Sequence, residues 1–138
     1  IFPTDNMALS RKRIGIPFGT WDFLHAGHCL HFKECKKHCD YLIVGLQTDP
    51  SIDRPQKNKP IMSVEERRIM LEANKYVDAV LIYESEEEVR ELDKWLGDIR
   101  FMGEDHSGGK HHYVKAKIIY TSRNHNYSSS DLRKRLRI

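Results

Sequence analysis

Residues 18–32 read FGTWDFLHAGHCLHF, and the way this stretch begins and ends decides the fold. It leaves an apolar run, Ile14 to Phe18, turns at Gly19 through polar and aromatic residues, and enters a helical pattern from about Gly27 to His38. A second apolar run, Tyr41 to Leu46, follows at once, so the first third of the chain is a strand, a helix and a strand. His25 and His28 stand three residues apart and share one side of the helix's first turn. Backbone N–H groups at a helix start already favour an anion, and two imidazole donors extend that site. Gly27, between them, has no side chain to hold a phosphate away from the backbone.

The alternation continues outward. A loop containing Pro and Lys spans Asp49 to Pro60, and Ser63 with Glu66 forms a capping box that opens a helix to about Asn74. Val77 to Tyr83, Asp98 to Met102 and Lys117 to Tyr120 read as strands, Ser85 to Leu96 and Ser128 to Leu136 as helices. Strands alternating with helices predict an α/β class, a Rossmann-like, doubly wound, mostly parallel five-stranded sheet in a single domain. Ligands of such sheets lie beyond the carboxyl ends of the strands, where strand order reverses. The loops expected to carry function are therefore 19–28, 47–60, 103–112 and 121–130.

Composition excludes several classes. The chain has 138 residues, of which 39% are hydrophobic and 31% charged, the profile of one ordinary globular domain. We expect residues 11–138 to form that domain and residues 1–10, which lack periodicity, to stand outside it. No apolar stretch reaches the length of a membrane span and none near the start resembles a secretory leader, which predicts a cytoplasmic protein with no membrane partner. Cys29, Cys35 and Cys39 fall within one helix, and an odd count predicts reduced thiols. The net charge is +3, and residues 131–138 supply all of it, so no broad basic face exists and no nucleic-acid partner is expected. His31, Cys35, His38 and Cys39 are spaced so that two or three share a helix face, but no second CxxC or HxxxH element accompanies them, and no protein-held metal is expected. The run Glu86 to Glu88 reads as a solvated helix face.

The motifs, taken in order, resemble those of the small cytidylyltransferases, nearest by length to those that act on glycerol 3-phosphate. The family's GTFDxxHxGH corresponds to GTWDFLHAGH (Gly19 to His28), its strand-ending TD to Thr48-Asp49 and its lysine loop to KNKP (Lys57 to Pro60). Its arginine-bearing helix corresponds to EERRIMLEANKYVDAV (Glu65 to Val80), its MGxD to MGED (Met102 to Asp105) and its RTEGISTT to RNHNYSSS (Arg123 to Ser130). The resemblance implies attack by an acceptor phosphate on the α-phosphorus of CTP, with pyrophosphate leaving and Mg²⁺ arriving with the nucleotide. It implies catalytic roles for His25, His28, Lys57, Lys59 and Arg123. It implies substrate-binding roles for Gly19, Thr20, Trp21, Asp22, Gly27, Lys75, Gly103, Asp105, Tyr127, Ser128, Ser129 and Ser130. The partners implied are CTP, a small phosphomonoester and a second copy of the chain as a homodimer. By the residues alone, Asp22 and Asp105 are equally readable as turn-forming side chains, the lysines as a solvated loop and the serines as helix caps.

The sequence also departs from the family pattern. Trp21 replaces a Phe, Lys75 stands where relatives often carry Arg, and His106 follows MGED where a Trp is usual. Asn124, His125 and Asn126 replace TEG. The last change falls in the segment expected to line the nucleotide pocket, and it leaves open whether the base is cytosine or adenine.

Overall fold

The computed structural model describes residues 12–104 and 114–138. The expectations placed on residues 1–10, on Asp105 and His106, and on the rest of the loop to residue 112 lie outside the described residues. Within them the elements run β1 (Ile14–Gly19), α1 (Ala26–Lys36), β2 (Tyr41–Gln47), α2 (Pro50–Asp53), α3 (Val64–Glu72), β3 (Ala79–Tyr83), α4 (Glu86–Asp93), β4 (Ile99–Gly103), β5 (Lys117–Thr121) and α5 (Ser129–Leu136).

The five strands form one sheet in the order β3-β2-β1-β4-β5, and every neighbouring pair is parallel. Strand order reverses between β1 and β4, whose register pairs Gly15 with Ile99 and Pro17 with Phe101. The expected doubly wound architecture is therefore present, and its switch point lies beyond the ends of β1 and β4.

Period-two alternation divides the side chains between the two faces. On one face Leu42, Val44 and Leu46 of β2 and Ile99 and Phe101 of β4 pack with Phe32 and Cys35 of α1 and Leu71 of α3 in a single buried cluster. Burying side chains of this size contributes about 1.5–3 kcal/mol each, and this is what fixes α1 and α3 to the sheet. Ile16 and Phe18 of β1 project to the other face. Gly97, at φ +91°, brings the backbone after α4 close to Ile16, and Phe18 meets the edge of the Tyr83 ring at 5.4 Å.

Helix starts follow their side-chain signals, whereas the ends differ from the sequence reading by a few residues. Ser63 and Glu66 complete the expected capping box of α3, and Ser85 and Ser128 cap α4 and α5. α3 stops at Glu72 rather than Asn74, because Asn74 forms a turn in which its Oδ1 accepts from the Tyr76 N–H. β3 starts at Ala79 rather than Val77, since Asp78 is occupied with Leu42: its N–H donates to the Leu42 carbonyl and its carboxylate accepts the Leu42 N–H. The 49–60 loop contains a helical turn that the sequence reading missed. Asp49 caps it by accepting the Ser51 N–H, and Pro50 occupies the first helical position, where its missing N–H is no loss.

Candidate active site

The segment between β1 and α1 is held in an uncommon backbone shape. Trp21 and Phe23 both adopt positive φ, 57° and 52°, which for bulky residues costs about 1–3 kcal/mol each. The surroundings offset this. The Trp21 indole N–H donates to the Gly45 carbonyl at 2.8 Å, and its ring packs on Phe32, His28 and His31. Asp22, between the two, is buried and accepts from the Ile61 N–H at 2.8 Å, the Met62 N–H at 3.0 Å and Arg133 at 3.2 Å. Its own carbonyl accepts from the Ser129 hydroxyl. Asp22 thus ties the first loop to the entry of α3 and to α5, an arrangement wider than the local turn the residues alone allowed.

His25 is the N-cap of α1, and its Nδ1 accepts the Gly27 N–H at 3.0 Å. His28 reaches back, its Nδ1 accepting the His25 N–H at 3.4 Å, so the two imidazoles occupy the positions of a capping box. Their rings stack with centroids 3.8 Å apart. Because both Nδ1 atoms accept, the hydrogen-bond pattern assigns each ring's proton to Nε2. Burial pushes the His28 pKa down to about 2, with His25, His31 and Arg123 adding in the same direction. The pKa of His25 is lowered by burial first, then by His125 and Arg123. Both rings are therefore neutral N–H donors near pH 7.

A cavity of about 610 Å³ opens over this helix start, within the range of small-ligand sites. Of the residues expected in the site, it is lined by Gly19, Thr20, Trp21 and Asp22 from the first loop, His25, Gly27 and His28 from the start of α1, and Lys57 from the second loop. Gly103, Arg123, Tyr127, Ser128, Ser129 and Ser130 complete the set from the β4 and β5 ends. Lys59 and Lys75 are not brought to it. Lys59 acts instead on Asp49, whose carboxyl is held below its ordinary value first by the Ser51 hydroxyl, with Lys59 and Arg67 adding. The Lys75 ammonium lies 5.1 Å from the centroid of the Tyr76 ring.

Gly27 is required by the protein's own packing. A Cβ there would stand 2.9 Å from the His125 ring, the His25 ring and the Tyr127 carbonyl. The 124–126 departure thus folds onto the start of α1: His125 stacks on Tyr127, accepts its N–H at 3.2 Å, and lines the cavity.

Other lining residues take roles that the sequence did not indicate. His31 joins a chain in which its ring meets the Thr121 hydroxyl at 2.7 Å, that hydroxyl reaches the Met102 carbonyl at 3.3 Å, and Cys35 Sγ lies 3.7 Å from His31 Nε2. Cys39 Sγ faces the Cys35 carbonyl. Glu86 is not simply a solvated side chain: it pairs with Arg54 at 3.0 Å and lines the cavity with it. Arg100 also lines the cavity. Behind the site, Arg67 is only 1% exposed and donates to the carbonyls of Thr20, Gln47, Thr48 and Met62, at 2.6–3.0 Å. It pins the ends of the β1 and β2 strands to α3. Among the described residues, no group of three His, Cys, Asp or Glu side chains is placed to hold a metal, and no helix is long and apolar enough to cross a membrane.

The chain is similar to several known proteins and solved structures. Glycerol-3-phosphate cytidylyltransferase of Staphylococcus aureus (strain NCTC 8325 / PS 47) is 33% identical over 131 residues, covering 91% of this chain and 95% of that protein. FAD synthase of Ferroglobus placidus (strain DSM 10642 / AEDII12DO) is 36% identical over 87 residues, 63% of this chain and 56% of the relative. A solved structure, the lipopolysaccharide core biosynthesis protein from Thermoplasma volcanium GSS1, superposes with a TM-score of 0.63 at 25% identity. The match covers 85% of this chain and 99% of that one. A family model described as cytidylyltransferase-like matches residues 16–135, from the middle of β1 into the last turn of α5, and the chain belongs to this family of nucleotidyltransferases.

Proposed function

We propose that this protein transfers a cytidylyl group from CTP to a small phosphomonoester, with glycerol 3-phosphate the leading acceptor, releasing pyrophosphate. The observation that carries the reading is the pair of neutral imidazoles capping α1. Two Nε2–H donors and the positive dipole end of the helix border one cavity, which suits a triphosphate. An acceptor phosphate oxygen attacks the α-phosphorus in line, and the bond to the bridging oxygen breaks. Negative charge grows on that oxygen and on the departing pyrophosphate. Fixed donors aimed there stabilise the transition state more than the ground state, and such donors are worth about 10²–10³ in rate each.

Lys57 and Arg123 add positive charge from the cavity lining, Lys57 as a mobile ammonium and Arg123 from beside the histidines. Ser128 caps α5 by accepting the Asp131 N–H, so a second helix start, with Ser129 and Ser130, faces the same cavity. Mg²⁺ enters as part of the nucleotide substrate, held by phosphate oxygens and water. CTP and glycerol 3-phosphate are favoured by the similarity to a cytidylyltransferase of matching length. A homodimer and a cytoplasmic location belong to the same proposal.

A second reading, adenylyl transfer from ATP, is favoured by the similarity to an FAD synthase and by the altered segment Asn124, His125 and Asn126. The test is pyrophosphate release with Mg²⁺, crossing CTP, ATP, GTP and UTP against glycerol 3-phosphate, choline phosphate, heptose phosphate and riboflavin phosphate. Turnover with CTP and glycerol 3-phosphate supports the first reading. Turnover confined to ATP replaces it with the second.

A further inference from the structure

One wall of the cavity is built by β1, β3, β4 and the residues around α2 and α4 rather than by α1 and α5. It presents Phe18, Arg54, Tyr83, Glu86 and Arg100. Arg100 comes from β4 and is only 7% exposed, yet its Nε and Nη1 are buried with no hydrogen-bond partner among the described residues. Its guanidinium lies over the Phe18 ring, 4.5 Å from the centroid. That contact uses the flat face of the group and leaves the in-plane N–H donors unmet. Arg54 is differently placed. Its Nη2 donates to Gln47 Oε1 at 2.7 Å and pairs with Glu86, while its Nε is buried and unmet. Burial raises the Tyr83 pKa, so its phenol stays protonated beside the two arginines.

An arginine does not escape burial by losing its proton. A buried guanidinium without an anion is unfavourable in the folded protein, and its position on a cavity wall supplies the reason to keep it there. A guanidinium keeps its charge at any working pH and suits phosphate oxygens. The nucleotide's phosphates are assigned to the starts of α1 and α5, which leaves this group for the other substrate.

We propose that Arg100, flanked by Arg54, is the acceptor subsite: the two guanidinium groups on this wall hold two oxygens of the phosphomonoester dianion and turn the third toward the α-phosphorus. The proposal rests on the nucleotidyl-transfer reading. The third oxygen forms the new P–O bond, the bond from the α-phosphorus to the bridging oxygen breaks, and its electron pair leaves with pyrophosphate. Glu86, fixed by Arg54, is placed to accept from hydroxyl groups, and the neutral Tyr83 phenol to donate to an oxygen. The wall therefore fits a polyol phosphate.

The test is steady-state pyrophosphate release by Arg100→Met and Arg100→Lys, with CTP and glycerol 3-phosphate varied separately. For Arg100→Met the acceptor KM rises about 10- to 100-fold, while the KM for CTP stays within about twofold. Arg100→Lys, which keeps the charge but not the planar guanidinium, falls between, and it carries the test if the Met variant does not fold. An unchanged acceptor KM, or an equal rise for CTP, overturns the assignment. If no nucleotide and acceptor pair turns over, the proposed activity is what fails, and calorimetry with orthophosphate then decides the subsite. Binding by the wild-type protein that is lost in Arg100→Met supports it, and equal binding by both, or binding by neither, overturns it.

Discussion

His25 and His28 close the start of α1 between them: each uses Nδ1 to accept a backbone N–H, and each is left with Nε2–H as its only donor. The same two bonds that finish the helix therefore set the tautomer the chemistry needs. A helix cap is ordinarily made by an oxygen of Ser, Thr, Asp or Asn. An imidazole in that place caps with one nitrogen and presents the other to a ligand.

This arrangement ties stability to pH. His28 has a folded pKa of about 2 against 6.5 for the unfolded side chain, so the unfolded chain binds more protons in between. The contribution is complete above about pH 6.5 and is lost progressively as pH falls toward 2. The slope is at most about 1.4 kcal/mol per pH unit, and His25 acts in the same direction. Urea unfolding is expected to show the midpoint dropping between pH 6.5 and 4.5, and His28→Asn should flatten that drop. A variant as acid-sensitive as the wild type contradicts this.

Replacing Gly27 by alanine tests the packing against the 124–126 segment. In a helix alanine is favoured over glycine by about 0.5–1 kcal/mol, so propensity alone predicts a more stable protein. The added Cβ meets two imidazoles and a carbonyl at 2.9 Å, and overpacking of this kind costs about 1–3 kcal/mol. Thermal unfolding should show a lower Tm for Gly27→Ala. A higher one means that His125 and Tyr127 do not pack there.

Arg67 offers a larger effect. Its guanidinium satisfies four carbonyls from three separate segments, so Arg67→Met leaves buried acceptors unpaired and unties the loops that shape the cavity. The expected loss is about 3–5 kcal/mol by urea denaturation. Arg67→Lys should recover little of it, because one ammonium cannot span the same carbonyls. A loss below about 1 kcal/mol contradicts the assigned role.

The parts of the fold legible in the sequence are those written locally. The apolar runs gave the strands, the Ser63 and Glu66 spacing gave the start of α3, and the strand-turn-helix around His25 placed the cavity. The motif resemblance then indicated most of the residues that line it. Contacts between distant segments left no such mark. Arg67 sits in EERR, which reads as a charged outer face, and only the fold brings Thr20, Gln47 and Thr48 around it. Asp22 and Arg133 meet across 111 residues of sequence. Glu86 belongs to an acidic run, and its pairing with Arg54 depends on α2, which lay hidden in a loop despite the Asp49-Pro50 start signal. Arg100 did carry a signal, a charge within a strand otherwise apolar on both sides, Ile99 to Met102. Lys75 occupies a motif position where relatives often carry Arg, and its side chain lies along Tyr76 instead of in the cavity.

The most direct test of the account is the turnover of His28→Ala, measured as pyrophosphate release at pH 8 with saturating nucleotide and acceptor. The Nε2–H donor is lost together with one half of the helix cap, which costs about 1 kcal/mol of stability and leaves the protein folded. The account predicts a kcat about 10²- to 10³-fold below wild type, with the unfolding midpoint only slightly lower. A kcat within about twofold of wild type contradicts the claim that the capped histidines stabilise the charge of the departing pyrophosphate.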